Sequence, residues 1–400
     1  MSLIRCTARH ALVSAALLLA CAFAQAEPFT PTNDDEVVEK LPSSAADPSV
    51  RRVDSLRRQL AARPDDAALR LEIGRRYFDM AMAQGDPRYV GYAMAAIKPL
   101  DRLSPNDPGY WLVRGLLEQY SHDFAGGMKS LARASELDPK APEPVAWRAA
   151  IDMVQARYDD ARTECTRLET LAHPLYARSC LDYVRATTGQ LAPAYEDLKA
   201  ALAAAGPLPA ELVMWVQTRL GEWADRLGRT QDAEAHYQTA LKQGVTDQFL
   251  LGAYSDFLLA HQRPAEVTRL LADWERSDIL LLRLALAGKA ANDKRAKGWA
   301  DQLRDRFDAA TQRGDRLHEQ EAARFELDVE GKPDRALDYA ARNYGTQKEP
   351  RDAEVLLRTA LAAHKPAAAQ PALDWMRATG YEDPAMAALA TQLVAQGAHR

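Results

Sequence analysis

Small residues recur along this chain of 400 residues at an almost constant interval. They stand at Ala93, Gly127, Ala161, Ala194, Ala233 and, with a larger side chain in the same place, Val267. The successive differences are 34, 34, 33, 39 and 34 residues. A fixed period between about 20 and 50 residues is typical of stacked repeats, in which each copy buries its apolar face against its neighbours. The interval therefore predicts a repeat protein.

Each copy is expected to contain two helices. Alanine and leucine are abundant, aromatic residues make up only 7% of the chain, and runs of β-branched residues are missing. Short polar turns such as RYDDA (157–161) and GRTQDA (228–233) come just before apolar helical patterns, which is typical of helix starts. Two helices can cross closely only where one of them carries a very small side chain. Gly115 and Gly221 are expected to do this on first helices.

One segment carries the motif of a known family. Trp111 is followed by Gly115, Gly127, Leu131 and then Pro139, at the spacing of W-x2-L-G-x2-Y, A-x3-F and P. The chain therefore resembles the tetratricopeptide repeat superfamily, although Arg114 and Glu118 replace the leucine and the tyrosine of the motif.

The resemblance implies an all-α fold, a right-handed solenoid of about nine helix pairs. We expect a helix over 49–62 before the pairs and a capping helix over 382–396 after them. Residues 48–277 carry the clearer repeats, and residues 278–397 continue the solenoid with degenerate pairs and the cap. A long helix is expected over 294–313.

The first 26 residues have the pattern of a secretory signal peptide. Arg5 and Arg9 precede an uncharged apolar stretch, and Ala24-Gln25-Ala26 is an A-x-A cleavage site. The stretch from Ala11 to Ala26 is 16 residues long, shorter than the roughly 20 that span a bilayer. Leu18-Leu19-Ala20-Cys21 also resembles a bacterial lipobox, so lipidation of Cys21 is the alternative. Both predict a protein that leaves the cytoplasm.

Residues 27–47 are expected to form a flexible leader. They contain three prolines and clustered acidic residues, with little periodic apolar pattern. A structural arm that docks on the solenoid is the alternative.

Charge and motifs argue against several functions. The 51 basic and 56 acidic residues give a net charge of -5, whereas a nucleic-acid binder normally has a basic excess. The histidines lie singly without i, i+4 spacing, so no metal site is expected. Phosphate-binding loops and nucleophile elbows are absent. We therefore predict no catalytic residues and no cofactor.

Two cysteines follow the leader, Cys165 and Cys180. Cys165 falls on the second helix of one repeat and Cys180 on the first helix of the next, and these surfaces pack together in this architecture. Cysteines of exported proteins tend to pair, so a structural disulfide is expected. Two buried thiols are the alternative.

Aromatic side chains define the candidate binding site. Tyr176, Trp215 and Phe249 fall near the start of three successive first helices, and Tyr120 and Tyr183 follow on later turns. First helices line the concave surface of such solenoids, so these residues are expected to form a groove for an extended segment or a helix. Packing against the turn of the preceding repeat is the alternative.

The sequence therefore predicts a non-catalytic periplasmic scaffold of a bacterium. It would bind a segment of another envelope protein in its concave groove. An outer-membrane lipoprotein accessory to envelope assembly or polymer export is the second hypothesis, and an enzyme is the third. The partner and the oligomeric state stay open.

Overall fold

The computed structural model describes residues 48–398. The chain divides into two units, Met1–Arg51 and Arg52–Arg400. The described residues of the first unit form the first turn of a helix, and all the helix pairs lie within the second unit. The predicted signal peptide (1–26), the alternative lipid site Cys21 and the predicted leader (27–47) lie outside the described residues.

The described part of the chain is helical and contains no strand. Its helices are α1 (Pro48–Ala62), α2 (Ala67–Gln84), α3 (Arg88–Ile97), α4 (Leu100–Leu103), α5 (Pro108–Tyr120), α6 (Phe124–Leu137), α7 (Pro142–Val154), α8 (Tyr158–Leu171), α9 (Pro174–Thr187), α10 (Leu191–Ala204), α11 (Ala210–Arg226), α12 (Thr230–Leu241), α13 (Gln248–Ala260), α14 (Pro264–Leu270), α15 (Asp278–Ala291), α16 (Ala296–Arg313), α17 (Glu319–Arg324), α18 (Pro333–Thr346), α19 (Pro350–Ala362), α20 (Gln370–Thr379) and α21 (Pro384–Ala398). A π-helical turn, Phe325–Val329, continues α17, and a 3-10 turn, Pro366–Ala369, precedes α20.

Consecutive helices pack as pairs. The pairs are α2/α3, α5/α6, α7/α8, α9/α10, α11/α12, α13/α14, α15/α16, α17/α18 and α19/α20. Within each pair, the helix that comes earlier in the chain is the first helix and the later one is the second helix. Helix α1 precedes the pairs and α21 comes after them, close to the predicted bounds. The predicted all-α fold of consecutive helix pairs is confirmed for the described residues.

Local sequence fixes where many of these helices begin. The side chains of Asp66, Asp107, Asp123, Asp247 and Ser277 accept hydrogen bonds from backbone N–H groups in the first turn of the helix that comes next. Such a cap satisfies donors that have no partner within the helix. Several other helices begin with proline, whose fixed φ suits the first helical position.

Glycine allows the two helices of a pair to approach closely. A Cβ atom built on Gly115 would lie 2.7 Å from the side chain of Leu131 and 3.2 Å from its backbone nitrogen. A Cβ atom on Gly221 would lie 3.0 Å from the ring of Tyr237. The close approach expected at Gly115 and Gly221 is therefore present in both pairs, and each glycine faces a large side chain of the second helix.

The apolar core passes through residue 277 without a break. One cluster of buried side chains extends from Leu175 to Leu393 and includes Leu271 and Leu280 on either side of that point. The predicted long helix over 294–313 is α16, Ala296–Arg313. The degenerate C-terminal pairs therefore share their core with the pairs before them.

Pairs that are far apart in sequence also touch. The side chains of Gln248 and Ser277 pack directly against Gly85, which ends α2 with a φ of 65°. The backbone N–H of Lys348 donates to the carbonyl of Val154 across 2.7 Å. A simple repeat array has contacts between neighbours only, so these contacts go beyond what the period predicts.

We call one group of these long-range contacts the seam. It joins residues 347–382 to the turns between first and second helices in residues 122–229. Trp375 Nε1 donates to the hydroxyl of Tyr158 at 2.7 Å, and Gln347 Nε2 lies 3.5 Å from His122 Nδ1. The C-terminal pairs thus cover part of the earlier pairs.

Among the described residues, no helix has the length and apolar character needed to cross a bilayer.

Candidate protein-binding site

Tyr176 and Trp215 form the centre of the candidate site. They lie near the starts of the first helices α9 and α11, and their ring centroids are 6.2 Å apart. Both residues are half-buried, so each has one surface packed and another available. The structure thus brings together two of the five aromatic residues selected from the sequence.

A cavity of about 500 Å³ opens beside Tyr176. Its walls are Pro142, Glu143, Trp147, Leu171, Ala172, His173, Tyr176 and Leu212. The ring of Trp147 meets that of Phe78 edge-on, with 5.8 Å between centroids. We call Trp147, Tyr176, Leu212 and Trp215 the aromatic rim. This cavity, mostly apolar with one carboxylate, has the chemistry of a pocket for an apolar side chain.

Trp147 and Leu212 belong to this site, although the sequence pattern did not single them out. Both lie near the start of a first helix, as Tyr176 and Trp215 do. That shared position was the available signal. Trp147 stands off the common register of the predicted aromatic residues, however, and Leu212 is not aromatic.

An ion pair neutralises the acidic side of the cavity. Glu143 Oε1 lies 2.7 Å from Arg75 Nη1, and Arg75 Nε donates to Asp79 at 3.0 Å. Burial opposes the charge of Arg75, but the two carboxylates offset this effect and leave its pKa raised. Charge therefore links α2 to the start of α7 and leaves the cavity mainly apolar.

Arg219 places a positive charge next to the aromatic rim. The guanidinium of Arg219 lies 4.5 Å from the ring centroid of Tyr183 and 6.0 Å from that of Trp215. Its Nη1 atom lies 2.7 Å from Glu222. Cation–π contacts of this kind are stabilising when the cation is partly desolvated, so Arg219 connects the rim with the deeper residue Tyr183.

The structure places Tyr120 and Tyr183 at half-buried positions, as it does Tyr176 and Trp215. Burial raises the pKa of Tyr120, with further contributions from the negative charges of Asp86 and Glu321. Burial likewise raises the pKa of Tyr183; the positive charge of Arg219 lowers this pKa and the negative charge of Glu349 raises it. Charged groups from the C-terminal region, Glu321 and Glu349, therefore lie near enough to act on the two tyrosines.

Phe249 lies apart from the rim pair. It is 42% exposed, and the guanidinium of Arg351 lies 5.6 Å from its ring centroid. Arg351 belongs to α19, so the C-terminal pairs reach this residue too. Phe249 therefore stays accessible, although Arg351 already contacts its ring.

Cys165 and Cys180 are joined by a disulfide in the structure. Their Cα atoms are 5.4 Å apart, and the bond links the second helix α8 to the next first helix α9. Titration of thiols in the unfolded protein tests the bond: two reactive thiols would contradict it.

Other polar clusters have structural explanations. Asp256 lies 2.6 Å from Arg283 and 2.9 Å from Arg324, and these residues come from three successive first helices. Burial works against the charge of Asp256, but the two guanidinium groups hold its pKa well below the usual range. Over residues 48–398, no group of three or more His, Cys, Asp or Glu side chains is arranged to hold a metal ion.

Comparisons with known proteins give structural neighbours only. No protein-family model matches the chain, and no curated protein matches it. One solved neighbour is PilW, a type IV pilus biogenesis factor, with 18% identity over 59% of this chain and 94% of that one, and a TM-score of 0.34. Human IFIT1 with PPP-AAAA has 12% identity over 82% and 78% of the two chains, at a TM-score of 0.47. Yeast Tom70 has 10% identity over 88% of this chain and 86% of that one, at a TM-score of 0.41. Similarities this low indicate neither a shared partner nor a shared activity.

Proposed function

We propose that this protein is a non-catalytic scaffold that binds a segment of another protein at the aromatic rim. The half-buried pair Tyr176 and Trp215 beside an open apolar cavity carries the proposal. Rigid aromatic side chains lose little conformational entropy on binding and dominate the energetics of many interfaces. A cavity of about 500 Å³ would accept one large apolar side chain of the partner.

The proposed location is the bacterial periplasm. It rests on the sequence of residues 1–26 and their A-x-A site, and the Cys165–Cys180 bond agrees with an oxidising compartment. The partner would then be another protein of the cell envelope.

Crosslinking from the rim tests the binding proposal. A photoreactive benzoylphenylalanine at position 212, in the cavity wall, should form an adduct with one defined protein in intact cells. The matched control is the same residue at position 92, where Tyr92 is 54% exposed on α3. Position 92 should not give that adduct.

Loss of the rim pair should abolish the adduct. Each of Tyr176→Ala and Trp215→Ala removes an aromatic anchor, and a hot-spot residue contributes about 2 kcal/mol or more to binding. We expect affinity for the identified partner to fall by roughly 30-fold or more. Unchanged affinity, with helicity preserved by circular dichroism, would contradict the proposal.

An outer-membrane lipoprotein is the second candidate. Leu18-Leu19-Ala20-Cys21 is the observation that favours it. Mass spectrometry of the mature N-terminus separates the two: a chain beginning at Glu27 supports the periplasmic form, and an acylated Cys21 supports the lipoprotein.

A further inference from the structure

A short loop near the C-terminus is held by residues that precede it by more than 150 positions. This loop, residues 380–383, joins α20 to α21; we call it the strap. The backbone N–H of Leu191 donates to Glu382 Oε2 at 2.5 Å. Nε and Nη2 of Arg226 donate to the carbonyl oxygen of Glu382 at 3.1 and 2.9 Å. Both the side chain and the backbone of Glu382 are therefore bound.

Glu382 supplies a helix cap that the local sequence lacks. Gln190, the residue before α10, makes no side-chain cap to this helix. Glu382 takes its place from 191 residues away. A carboxylate at a helix N-terminus satisfies a free N–H group and interacts favourably with the helix dipole. The strap thus completes the start of α10.

Arg226 contacts both the backbone and the aromatic ring of the strap. Besides Glu382, it donates to the carbonyl of Ala186 at 3.0 Å, and within the described region it forms no ion pair with a carboxylate. Its guanidinium lies 4.0 Å from the ring centroid of Tyr381. The strap therefore presents an aromatic ring and a carboxylate to a cation and a helix N-terminus.

The strap contacts Arg226, the last residue of α11, seven residues after Arg219, which is the cation beside Tyr183 and Trp215. Burial raises the pKa of Tyr381, which senses both Arg226 and Tyr183. Tyr381 also packs near Trp375, with 4.9 Å between centroids, and Trp375 donates to Tyr158 in the seam. The strap thus lies at the end of α11, whereas Trp215 of the aromatic rim lies in its first half.

We propose that the strap is an internal ligand. While Glu382 caps α10, a partner can bind only at the aromatic rim, and the surface around Leu191 and Arg226 becomes available once Glu382 leaves. A partner segment with an aromatic residue followed by an acidic one would then take its place on Leu191 and Arg226. This inference deepens the proposed function and rests on it.

Hydrogen exchange of the full-length protein tests the release of the strap. Glu382→Ala removes the cap, so the amides in the first turn of α10 should exchange at least tenfold faster than in the wild type. Glu382→Gln keeps an acceptor oxygen and should restore most of the protection. Glu169→Ala, at an exposed position on α8, is the matched control and should change nothing in α10.

A peptide in trans tests recognition. The probe is a fluorescent peptide of residues 376–386, MRATGYEDPAM. We expect it to bind the Glu382→Ala protein at least tenfold more tightly than the wild type, because the site is vacated. Adding Arg226→Ala, or replacing the glutamate within the peptide by alanine, should abolish the gain.

Several results would overturn the inference. Equal exchange in the wild type and Glu382→Ala would show that the cap does not hold the strap. Equal peptide affinity for both proteins would show that the strap does not occupy the site. If Glu382→Ala fails to fold, Arg226→Ala releases the carbonyl of Glu382 instead and is measured in the same exchange experiment. The proposed function fails separately, through unchanged partner affinity of the rim variants.

Discussion

One buried aspartate stands where other repeats carry a very small residue. Asp182 precedes Ala194 by 12 residues, the separation that also relates Gly115 to Gly127 and Gly221 to Ala233. Its side chain is 0% exposed and lies 2.6 Å from Arg185, while Oδ2 has no hydrogen-bond partner. The sequence period indicates that this position is enclosed. It does not reveal that a carboxylate there needs a cation from the next turn.

This aspartate should make stability depend on pH. Burial raises the pKa of Asp182 to about 6, against the opposing effect of Arg185. The folded state therefore binds the proton more tightly than the unfolded state, so stability present near pH 4 is lost as the pH rises through 6. Relative to Asp182→Asn, the wild type should lose up to about 3 kcal/mol between pH 4 and 7.

Urea unfolding at several pH values measures this difference. Asp159→Asn, at a side chain that is 96% exposed, is the matched control and should follow the wild-type curve. A constant difference between wild type and Asp182→Asn from pH 4 to 7 would contradict the prediction.

At the scale of helices, the sequence predicted pairing well and local irregularity poorly. Caps, prolines and small residues are local signals, so the helix pairs and the long α16 could be derived from them. The π-helical turn at Phe325–Val329 and the short α14, Pro264–Leu270, could not. They depend on how the degenerate pairs pack on their neighbours, and the weakened repeat pattern carries little of that information.

Two glycine substitutions should have opposite effects on helix packing. Gly115→Ala places a methyl group against Leu131 in the neighbouring helix, and overpacking of this kind costs about 1–3 kcal/mol. Gly298→Ala lies within α16 with open space around it, so it should stabilise the protein by about 0.5–1 kcal/mol through helix propensity.

Thermal or urea unfolding measures the change in stability of each variant. Because the substitution is the same, any general effect of alanine cancels in the comparison. Equal changes in stability at positions 115 and 298 would mean that helices α5 and α6 can separate without cost in free energy.

At the scale of the whole molecule, the sequence did not predict the seam. A repeat period relates each copy to its neighbours, whereas Trp375 and Tyr158 are 217 residues apart. Neither residue belongs to the repeat motif, so nothing local marks them as partners. For the same reason the period does not predict that Glu321 and Glu349 approach Tyr120 and Tyr183.

The seam should couple the stability of distant pairs. Trp375→Phe keeps a ring but removes the donor to Tyr158, and a buried group left without its partner costs about 1–3 kcal/mol. Hydrogen exchange should then become about tenfold faster in α8 as well as in α20, because the two open together.

Trp299→Phe is the matched control. Its indole donates to Glu275 at 2.7 Å, between neighbouring pairs, so faster exchange should stay within α15 and α16. Faster exchange in α20 alone for Trp375→Phe would show that the seam does not couple the two regions.

The dependence of α10 on Glu382 has a consequence for biosynthesis. A ribosome makes the amide of Leu191 long before the carboxylate that binds it, 191 residues later. The early helix pairs can form from contacts between neighbours alone, but the start of α10 stays without this cap until the last helices dock. Completion of the fold is therefore a late event, and a chaperone that shields this edge before docking would meet the same surface that the finished protein covers with its own C-terminus.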